Sequence, residues 1–461
     1  MKQKIWDAKE AEKATGGKST SDWVSSGISI DSRTIKDGEL FVALKGENSD
    51  GHQYVSGAFR NGAGAAVVDH IPKEVGKDKP LLVVKDVQKA LEDLASYRRK
   101  HTQAKIISIT GSVGKTSVKE GVAMVLSSID KTHSTAGNFN NHIGMPISMA
   151  NMPVETKYGV FELGMNHAGE LSSLSKLLNP DVALITTVTA MHLEFFKSVA
   201  DIARAKAEIM DGLSKDGVVV LPFDNEHFQI LKDVAISKKI KNIITFGRKK
   251  GADIQLCSEE VFNDGQNLEV KHKNNSIHYT IKAYGRHQAL NSVAILAAII
   301  AAGVDVSKCI TALKSYDSQP GRGKVVDIKF RGKKIKLIDD SYNAGPDSMR
   351  AAFEVLSLVK KNSRGRAVAL LGDMLELGDD SSKIHASLSK DVVSAGIDVV
   401  FTSGSRMEDL ANALPKNKLA GRSKNPEELM KLFESKVEDG DIVLIKGSHG
   451  SNMWKIVEAM L

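Results

Sequence analysis

A glycine-rich segment that ends in a lysine and a threonine carries the most specific chemistry in this sequence. It reads Thr110-Gly-Ser-Val-Gly-Lys-Thr-Ser117 and lies between an apolar strand and an amphipathic helix predicted to begin near Val118. Glycines let backbone amides approach phosphate groups, and the start of a helix attracts anions. A lysine here can reach the β- and γ-phosphates of ATP, and a threonine hydroxyl can ligate Mg²⁺. The residues predicted to bind the nucleotide phosphates are Thr110, Gly111, Ser112, Val113, Gly114, Lys115, Thr116 and Ser117.

This loop is a shorter variety of the widespread phosphate-binding pattern. That pattern places a glycine five residues before the second one, and here the position is Ile109, inside the predicted strand. A simple turn would not explain why Lys115 and Thr116 follow at the start of a helix. The motif predicts ATP binding, but it does not define the reaction.

Two side chains at strand ends are candidate ligands for magnesium. Glu162 ends the apolar strand predicted over residues 158–161, and His192 follows the next strand along the chain. Ligands of open α/β sheets gather at the carboxyl ends of the strands, and Mg²⁺ prefers hard donor atoms. We therefore expect both side chains near the phosphate loop.

Lys206 leaves two interpretations open. It lies in a helical stretch in which Arg204 and Glu208 are spaced to form an i,i+4 pair, so the ordinary interpretation is a solvated lysine. The alternative is that an amine held near Mg²⁺ adds carbon dioxide and becomes an anionic carbamate ligand. Nothing in the residues themselves favours the second interpretation.

An amide-rich segment, residues 137–146, follows the phosphate-loop helix. Its asparagines could simply form tight turns. Amides are also suited to hold an acceptor carboxylate or a sugar beside the γ-phosphate, and we favour this interpretation. The residues concerned are Asn138, Asn140 and Asn141.

The composition is that of a globular protein and excludes several classes. Of 461 residues, 42% are hydrophobic and 26% charged, which argues against wholesale disorder. Two cysteines cannot form a disulfide framework or a thiolate zinc site. No apolar run is long enough to span a bilayer, and the first residues lack the apolar core of a signal peptide, so we expect a cytoplasmic protein without membrane insertion.

The positive charge does not indicate nucleic-acid binding. The net charge is +7, but the densest basic stretch, residues 329–336, alternates apolar and charged residues around Arg331-Gly332, as the solvated face of a hairpin does. Aromatic residues make up only 5% of the chain, and there is no nucleic-acid module. We expect phosphate-bearing small molecules as partners, no nucleic acid, and a monomer.

The alternation of strands and helices predicts an α/β protein with three domains. Residues 1–104 read as a small N-terminal α/β domain. Residues 105–317 read as a central domain with a mostly parallel sheet, and residues 318–461 as a Rossmann-like α/β domain. The glycine-rich stretch 319–323 marks the second boundary.

Together these motifs resemble the Mur ligases, ATP-dependent enzymes that form amide bonds in peptidoglycan precursor synthesis. The resemblance covers the whole chain. It implies that Glu162, His192 and Lys206 are the metal and carbamate positions, and that the segment 284–291 lies near the adenine. It also implies that nucleotide or substrate contacts meet at the domain junction through Asn291, Arg322, Asp340 and Asn343.

Within the family, two C-terminal segments are similar to the member that adds D-alanyl-D-alanine to UDP-MurNAc-tripeptide. They are Asp339-Asp-Ser-Tyr-Asn-Ala-Gly-Pro346 and Leu371-Gly-Asp-Met-Leu-Glu-Leu-Gly378. The N-terminal segments resemble the uridine-nucleotide recognition that this member shares with the third-residue-adding ligase. The residues carried over for this role are Ser32, Arg33, Lys45, Gly46, Asp50 and His52.

Three residues depart from the family pattern. Lys197 and Gly345 occupy positions where glycine and asparagine, respectively, are common, and both changes fit loop variation. His449 stands where arginine is usual, which puts a C-terminal substrate contact in doubt because histidine is fully charged only at lower pH.

The resemblance implies an acyl-phosphate mechanism, and two other classes of function stay open. The first is a different carboxylate–amine ligase, such as a folylpolyglutamate synthase or the third-residue-adding enzyme. The second is a nucleotide-dependent regulator that forms no amide. The third residue of the accepted peptide, lysine or diaminopimelate, is not determined by the sequence.

Overall fold

The structure is a computed structural model that describes residues 4–46, 49–76, 78–191, 193–262, 265–361 and 363–461. Three groups of strands follow one another along the chain, and each is covered by helices. Of the helices in the described part, none is long and apolar enough to cross a membrane.

The N-terminal part contains a five-stranded sheet in the order β2-β7-β6-β5-β4, with β2 antiparallel and the other neighbours parallel, and a separate antiparallel β1-β3 pair. Short apolar runs at residues 39–44, 65–68 and 81–84 form its three central strands. The elements are β1 (Trp6–Asp7), α1 (Ala8–Thr15), β2 (Lys18–Ser19), β3 (Val24–Ser25), β4 (Ile28–Ser29), β5 (Leu40–Val42), α2 (Val55–Arg60), β6 (Ala65–Val68), β7 (Leu81–Val83) and α3 (Val87–Lys100).

The central part is built on a nine-stranded sheet in the order β16-β15-β14-β13-β12-β11-β8-β10-β9, counted within the described residues. Neighbours from β14 to β9 are parallel, as predicted. The elements are β8 (Lys105–Thr110), α4 (Lys115–Ser127), β9 (Thr132–Ser134), α5 (Gly144–Ala150), β10 (Tyr158–Glu162), α6 (Glu170–Leu178), β11 (Val182–Ile185), α7 (Val199–Ala207), β12 (Val218–Pro222), α8 (Phe228–Ser237), β13 (Asn242–Gly247), β14 (Ile254–Phe262), β15 (Gly265–His272), β16 (Asn275–Ile281), α9 (Arg286–Ala301) and α10 (Ile310–Leu313).

The C-terminal part has a six-stranded sheet in the order β17-β18-β22-β19-β20-β21 within the described chain, parallel except for the predicted β17–β18 hairpin. The elements are β17 (Lys324–Phe330), β18 (Lys333–Asp340), α11 (Pro346–Lys361), β19 (Ala367–Gly372), α12 (Ser381–Ser394), β20 (Val399–Ser403), α13 (Met407–Ala413), β21 (Leu419–Ser423), α14 (Pro426–Glu434), β22 (Ile442–Lys446) and α15 (Trp454–Met460).

Helices bury both faces of the central sheet. Along β8, Ile106 packs into the core beneath α5, α6, α7 and α8, whereas Ile107 and Ile109 pack against α4 and α9. Successive side chains of a strand point to opposite faces, so an almost wholly apolar strand is required here. This sandwiching fixes the carboxyl ends of β8 and β10, from which the phosphate loop and Glu162 emerge.

The antiparallel β14–β16 ribbon was not predicted. In β14 and β15, buried residues such as Leu256 and Val270 alternate with polar ones, because one face of the ribbon is exposed. The helix after the phosphate loop begins at Lys115, three residues earlier than expected. Both differences leave the predicted α/β fold class intact.

Candidate active site

A cavity of about 560 Å³ is lined by residues from the central part and from the C-terminal part of the chain. The nucleotide, amide-loop and junction residues predicted from separate segments meet in its wall. They are Ser112, Val113, Gly114, Lys115, Thr116, Ser117, Asn140, Asn141, Glu162, Asn291, Arg322, Asp340 and Asn343.

Other predicted site residues lie outside this wall. His192 lies outside the described residues, although its neighbour Met191 lines the cavity. The described residues that do not line the cavity are Thr110, Gly111, Asn138, Lys206, His449, Ser32, Arg33, Lys45, Gly46, Asp50 and His52.

The phosphate loop approaches its neighbours too closely to carry side chains at its glycines. Gly111 has φ 152°, and a Cβ there would lie 1.9 Å from Oγ1 of Thr186. Gly114 has φ 85°, and a Cβ there would lie 2.8 Å from Oδ1 of Asn291. Both contacts and both dihedral angles require glycine. The loop therefore presents bare backbone to the cavity at the start of α4.

The loop is tied to the segment that follows β11. The backbone N–H of Ser112 donates to the Thr187 carbonyl (2.8 Å), and the Ser112 hydroxyl donates to the Thr189 carbonyl (3.2 Å). The N–H of Thr189 in turn donates to the Ser112 hydroxyl (3.0 Å). These bonds hold the loop in place before any ligand binds.

Lys115 lies folded over the loop. Its Nζ donates to the carbonyl oxygen of Gly111 at 2.8 Å. Burial lowers the pKa of Lys115 from its ordinary value; the Glu162 carboxylate opposes this, and the positive charge of Arg322 adds to it. Within the described structure, Lys115 would exchange this backbone hydrogen bond for a contact with a phosphate.

Glu162 joins the phosphate loop to the amide-rich segment. The hydroxyl of Thr116 donates to its Oε2 at 2.8 Å, and Nδ2 of Asn140 donates to its Oε1 at 2.9 Å. The Glu162 side chain ends β10 and is 2% exposed, so the carboxylate is held rigidly beside the loop. The end of β10 thus places this carboxylate beside the phosphate loop.

The carboxylate and hydroxyl oxygens of Glu162 and Thr116 fit a hard divalent cation. Magnesium takes oxygen ligands and is commonly held by one or two protein groups together with substrate phosphates. A buried carboxylate facing a hydroxyl at the phosphate loop supplies this donor set. The residues present are therefore compatible with Mg²⁺.

Lys206 is buried rather than solvated. It is 2% exposed, and Arg204 pairs with Asp201 instead of the expected Glu208, whose carboxylate accepts the backbone N–H of Gly169. Burial lowers the pKa of Lys206 well below its ordinary value, and the charge of Lys115 lowers it further. The interpretation of Lys206 as a solvated lysine is wrong because α7 turns this residue into the core.

The first two turns of α9 lie against the phosphate loop and contribute to the cavity wall. Asn291, which lies against Gly114, receives support from Gln288, whose Oε1 accepts its Nδ2 (3.3 Å) and the hydroxyl of Tyr316 (2.7 Å). His287 also lines the cavity, and its buried Nδ1 has no partner among the described residues. Burial lowers the pKa of His287 to about 4, with a smaller contribution from Lys446, so the ring is neutral.

Lys446 is a cavity residue that the sequence analysis missed. It is 2% exposed, and its Nζ donates to Oδ2 of Asp340 (2.6 Å) and to the Asn343 carbonyl (2.9 Å). Burial raises the pKa of Asp340, and Lys446 opposes that rise. Lys446 could have been predicted from its place at the end of the apolar strand β22, just as Glu162 was predicted from the end of β10.

Arg322 and His449 both contact Tyr342. The guanidinium of Arg322 lies 4.1 Å from the centre of the Tyr342 ring, and the His449 ring lies 5.6 Å from it on a tilted plane. His449 is exposed and also stacks with Trp454. The histidine at the unusual position therefore extends an aromatic surface that leads to the cavity through Tyr342.

The predicted uridine-binding residues lie in two loops of the N-terminal part. Arg33 is exposed; two hydrogen bonds from its guanidinium and one from its backbone N–H lower the pKa of the Asp31 carboxyl to about 2. The neighbouring Ser32 accepts a hydrogen bond from Asn61 through its carbonyl. The backbones of Lys45 and Asp50 form an isolated antiparallel β-bridge. The N–H of Gly46 donates to the Ser49 carbonyl.

His52 is held on both sides and is buried. Its Nδ1 lies 2.7 Å from Oδ1 of Asp50, and its Nε2 accepts the backbone N–H of Asp69 at 3.1 Å. The possible ligand atoms of His52, Asp69 and His70 lie within 4.8 Å of one another, which is close enough to surround one metal ion. Because the Nε2 lone pair already accepts a backbone N–H, this arrangement is an internal hydrogen-bond cluster rather than a ready ligand set.

Three models of one family match successive parts of the chain. The Mur ligase family, catalytic domain matches residues 25–99, and the Mur ligase middle domain matches residues 109–301. The Mur ligase, glutamate ligase domain matches residues 321–449. These matches cover most of the five-, nine- and six-stranded sheets described above.

Individual relatives match over almost the whole chain. A curated UDP-N-acetylmuramoyl-tripeptide--D-alanyl-D-alanine ligase from Rickettsia prowazekii (strain Madrid E) is 35% identical over 98% of this chain and 99% of its own. A crystal structure of MurF from Acinetobacter baumannii is 30% identical, with a TM-score of 0.85 over 99% of this chain and 98% of its own. The MurF ligase of Thermotoga maritima, in complex with ADP, is 28% identical, with a TM-score of 0.78 over 94% of this chain and 96% of its own.

The chain belongs to the Mur ligase family. The resemblance seen in the phosphate loop and strand-end residues is thus confirmed, and so is the predicted α/β fold class.

Proposed function

We propose that the protein is an ATP-dependent ligase that joins D-alanyl-D-alanine to UDP-MurNAc-tripeptide in peptidoglycan precursor synthesis. The observation that carries this proposal is the cavity in which the phosphate loop and Lys115 face Glu162 on one side and Asp340 on the other. Relatives named for this reaction match the chain nearly end to end, which supports the choice of substrates.

The reaction proceeds in two steps. The terminal carboxylate of the tripeptide attacks the γ-phosphorus of ATP, the bond to the β-phosphate oxygen breaks, and ADP leaves. The amine of D-alanyl-D-alanine then attacks the acyl carbon and loses a proton as inorganic phosphate departs. ATP is needed because an amide does not form spontaneously from a carboxylate and an amine in water.

The protein supplies positioning and positive charge rather than covalent chemistry. Lys115 and the amides of the phosphate loop bind the phosphates, and their charge offsets the repulsion between phosphate and carboxylate in the first step. Asn138, Asn140 and Asn141 hold the acceptor carboxylate beside the γ-phosphate. Contact between the central and C-terminal walls excludes water from the acyl phosphate.

Thr116, Glu162, His192 and Lys206 are the proposed magnesium-binding residues. When bound, Mg²⁺ neutralises charge that builds up on the transferring phosphoryl group. Thr116 and Glu162 orient each other through their hydrogen bond, so their oxygens are fixed before binding.

We propose that Lys206 acts as a carbamate. A neutral amine adds carbon dioxide, and burial with a lowered pKa favours the neutral form of Lys206. The carbamate would place an anionic oxygen near the positive charge of Lys115.

Each of the three predicted domains binds a different substrate. Residues 1–104 hold the uridine nucleotide through Ser32, Arg33, Lys45, Gly46, Asp50 and His52, and residues 105–317 hold ATP. Residues 318–461 hold the incoming dipeptide, with Asn343 and His449 on that side and Arg322, Asp340 and Asn291 at the junction. We propose that the enzyme acts as a monomer in the cytoplasm.

Measurement of ADP release separates this proposal from its alternatives. ADP should accumulate over many turnovers only when UDP-MurNAc-tripeptide and D-alanyl-D-alanine are both present, because without the amine the reaction stops at the acyl phosphate after about one ADP per enzyme molecule. Turnover with a different amine would indicate a related ligase. ATP binding without ADP formation for any acceptor would indicate a regulator.

The tripeptide should be supplied with either lysine or diaminopimelate at its third position. One relative, from Acinetobacter baumannii and 29% identical, carries diaminopimelate in its name. Comparison of the two substrates decides which one this chain accepts.

A further inference from the structure

A lysine outside the cavity wall is completely buried in the phosphate-loop helix. Lys119 lies one helical turn after Lys115 in α4 and is 0% exposed. Its neighbours Val118 and Val122 belong to the apolar core beneath the sheet. A buried ammonium is costly unless it is hydrogen-bonded and paired, so its partners indicate what it does.

Among the described residues Lys119 has two side-chain partners, Glu120 in its own helix and Thr135 outside it. Nζ lies 2.6 Å from Oε1 of the adjacent Glu120, which is 36% exposed. Nζ also donates to the carbonyl oxygen of Thr135 at 2.7 Å. Thr135 is 1% exposed, so without Lys119 this carbonyl would be left buried without its donor.

Thr135 connects the Lys119 contact to Glu162, the carboxylate proposed to bind magnesium. It directly follows β9, its N–H donates to the Val160 carbonyl of β10 (3.0 Å), and its hydroxyl accepts the N–H of Glu162 (3.3 Å). The chain then runs straight into the amide-rich segment, in which Asn140 donates to Glu162. A shift of Thr135 would therefore move both the amide loop and Glu162.

We infer that Lys119 is a positioning residue that fixes the amide-rich loop and Glu162 relative to the phosphate-loop helix. It does so by holding the carbonyl of Thr135 and does not itself touch the substrates. An apolar side chain such as methionine would fill the same space in the core, but it could not hold this carbonyl. The kinetic part of the inference rests on the proposed ligase function.

The substitution Lys119→Met tests the inference. We expect the KM for UDP-MurNAc-tripeptide and the Mg²⁺ concentration for half-maximal rate to rise about tenfold, the effect of losing one hydrogen bond to a charged donor. ADP affinity should change less than about twofold, because the phosphate-loop backbone and Lys115 are not displaced. An equal loss for all substrates and ADP would overturn the inference, since it would indicate a merely structural role.

Two control variants isolate the contact. Glu120→Gln removes the ion pair but leaves the Thr135 bond, and Lys131→Met makes the same replacement at a 68% exposed lysine just before β9. In both variants the KM for the tripeptide and the Mg²⁺ concentration for half-maximal rate should stay within about twofold of wild type, because the Thr135 contact is kept. If Glu120→Gln reproduced the Lys119→Met effect, the ion pair would be responsible and the inference would be wrong.

Thr135→Val gives a second route if Lys119→Met folds poorly. It keeps the carbonyl but removes the hydroxyl that accepts the N–H of Glu162, and it should raise the same two constants. In the double variant the combined effect should fall well short of the product of the single effects, because both act on one link. Simple multiplication of the two effects would show that the sites are independent.

Hydrogen exchange separates failure of this inference from failure of the proposed function. In Lys119→Met the amides of residues 136–141 should exchange about tenfold faster than in wild type, and those of residues 111–118 should not change. This readout needs no turnover, so it holds even if the wild type joined other substrates. Unchanged exchange at residues 136–141, or an increase spread over the whole chain, would overturn the inference.

Discussion

The ammonium of Lys446 lies 2.6 Å from the carboxylate of Asp340, and both groups line the cavity opposite the phosphate loop. The contact follows from strand register, because β18 and β22 are parallel neighbours in which these two residues are paired. Lys446 also donates to the carbonyl of Asn343. It therefore holds both ends of the segment 340–343, which lines the cavity.

Loss of the Lys446 ammonium should lower activity, because Asp340 and Asn343 would no longer be held in place. In Lys446→Met the buried Asp340 and the Asn343 carbonyl lose a charged donor, so we expect kcat/KM to fall by about ten- to a hundredfold. Steady-state kinetics with each substrate varied in turn checks this. Lys455→Met, at an exposed lysine that pairs only with Glu427 and Trp454 in the described structure, is the matched control. Wild-type kinetics in Lys446→Met would remove the proposed role.

Replacement of Glu162 by glutamine should weaken the response to magnesium. The amide keeps the shape but loses the charge that faces Thr116, so the Mg²⁺ concentration for half-maximal rate should rise by about tenfold or more. A titration of rate against Mg²⁺ at saturating ATP measures this. Glu155→Gln, at an exposed glutamate, is the control. An unaltered Mg²⁺ titration for Glu162→Gln would show that this carboxylate is not a ligand.

The carbamate proposal predicts that activity depends on carbon dioxide. After exhaustive removal of bicarbonate the rate should fall, and it should return when bicarbonate is restored, whereas Lys206→Ala should be inactive in both conditions. Mass spectrometry under conditions that trap the carbamate should place one added carbon dioxide on Lys206. A free amine on Lys206 in fully active, metal-loaded enzyme would exclude the modification.

Burial of His133 should make the protein less stable in mild acid. Its Nε2 lies 2.8 Å from the Ser148 carbonyl, and burial lowers the pKa to about 4 from 6.5. Between these values the unfolded chain binds a proton that the folded chain does not. This contribution is therefore complete above pH 6.5 and is lost as the pH falls towards 4, by at most about 1.4 kcal/mol per pH unit.

Urea unfolding at several pH values measures this loss. His133→Gln should show a shallower fall in the free energy of unfolding between pH 6.5 and 4 than the wild type. His278→Gln, at an exposed position of β16, is the control and should keep the wild-type slope. Equal slopes in all three proteins would contradict the assignment to His133.

The features that local pattern specifies could be predicted from the sequence. The phosphate loop joins a buried strand to a helix, so its chemistry is readable from consecutive residues. Glu162 could be located because the ends of parallel strands meet at one edge of a sheet. The parallel strands of the central and C-terminal parts were equally readable from their apolar runs.

The features that depend on packing between distant segments could not be predicted in this way. The helical pattern around Lys206 is also compatible with exposure, and only the packing of α7 shows that it is buried. Lys119 contacts a carbonyl 16 residues further along the chain, and Lys446 contacts a carboxylate 106 residues away. Such pairs become visible only when the sheets are assembled.

The most direct test of the proposed function is the mass of the product. The protein is incubated with Mg²⁺, ATP, D-alanyl-D-alanine and UDP-MurNAc-tripeptide carrying either lysine or diaminopimelate. We expect one tripeptide to gain the dipeptide with loss of one water, and one ADP to appear for each product formed. No product and no ADP with either tripeptide, or a product that contains a different amine, would contradict the account.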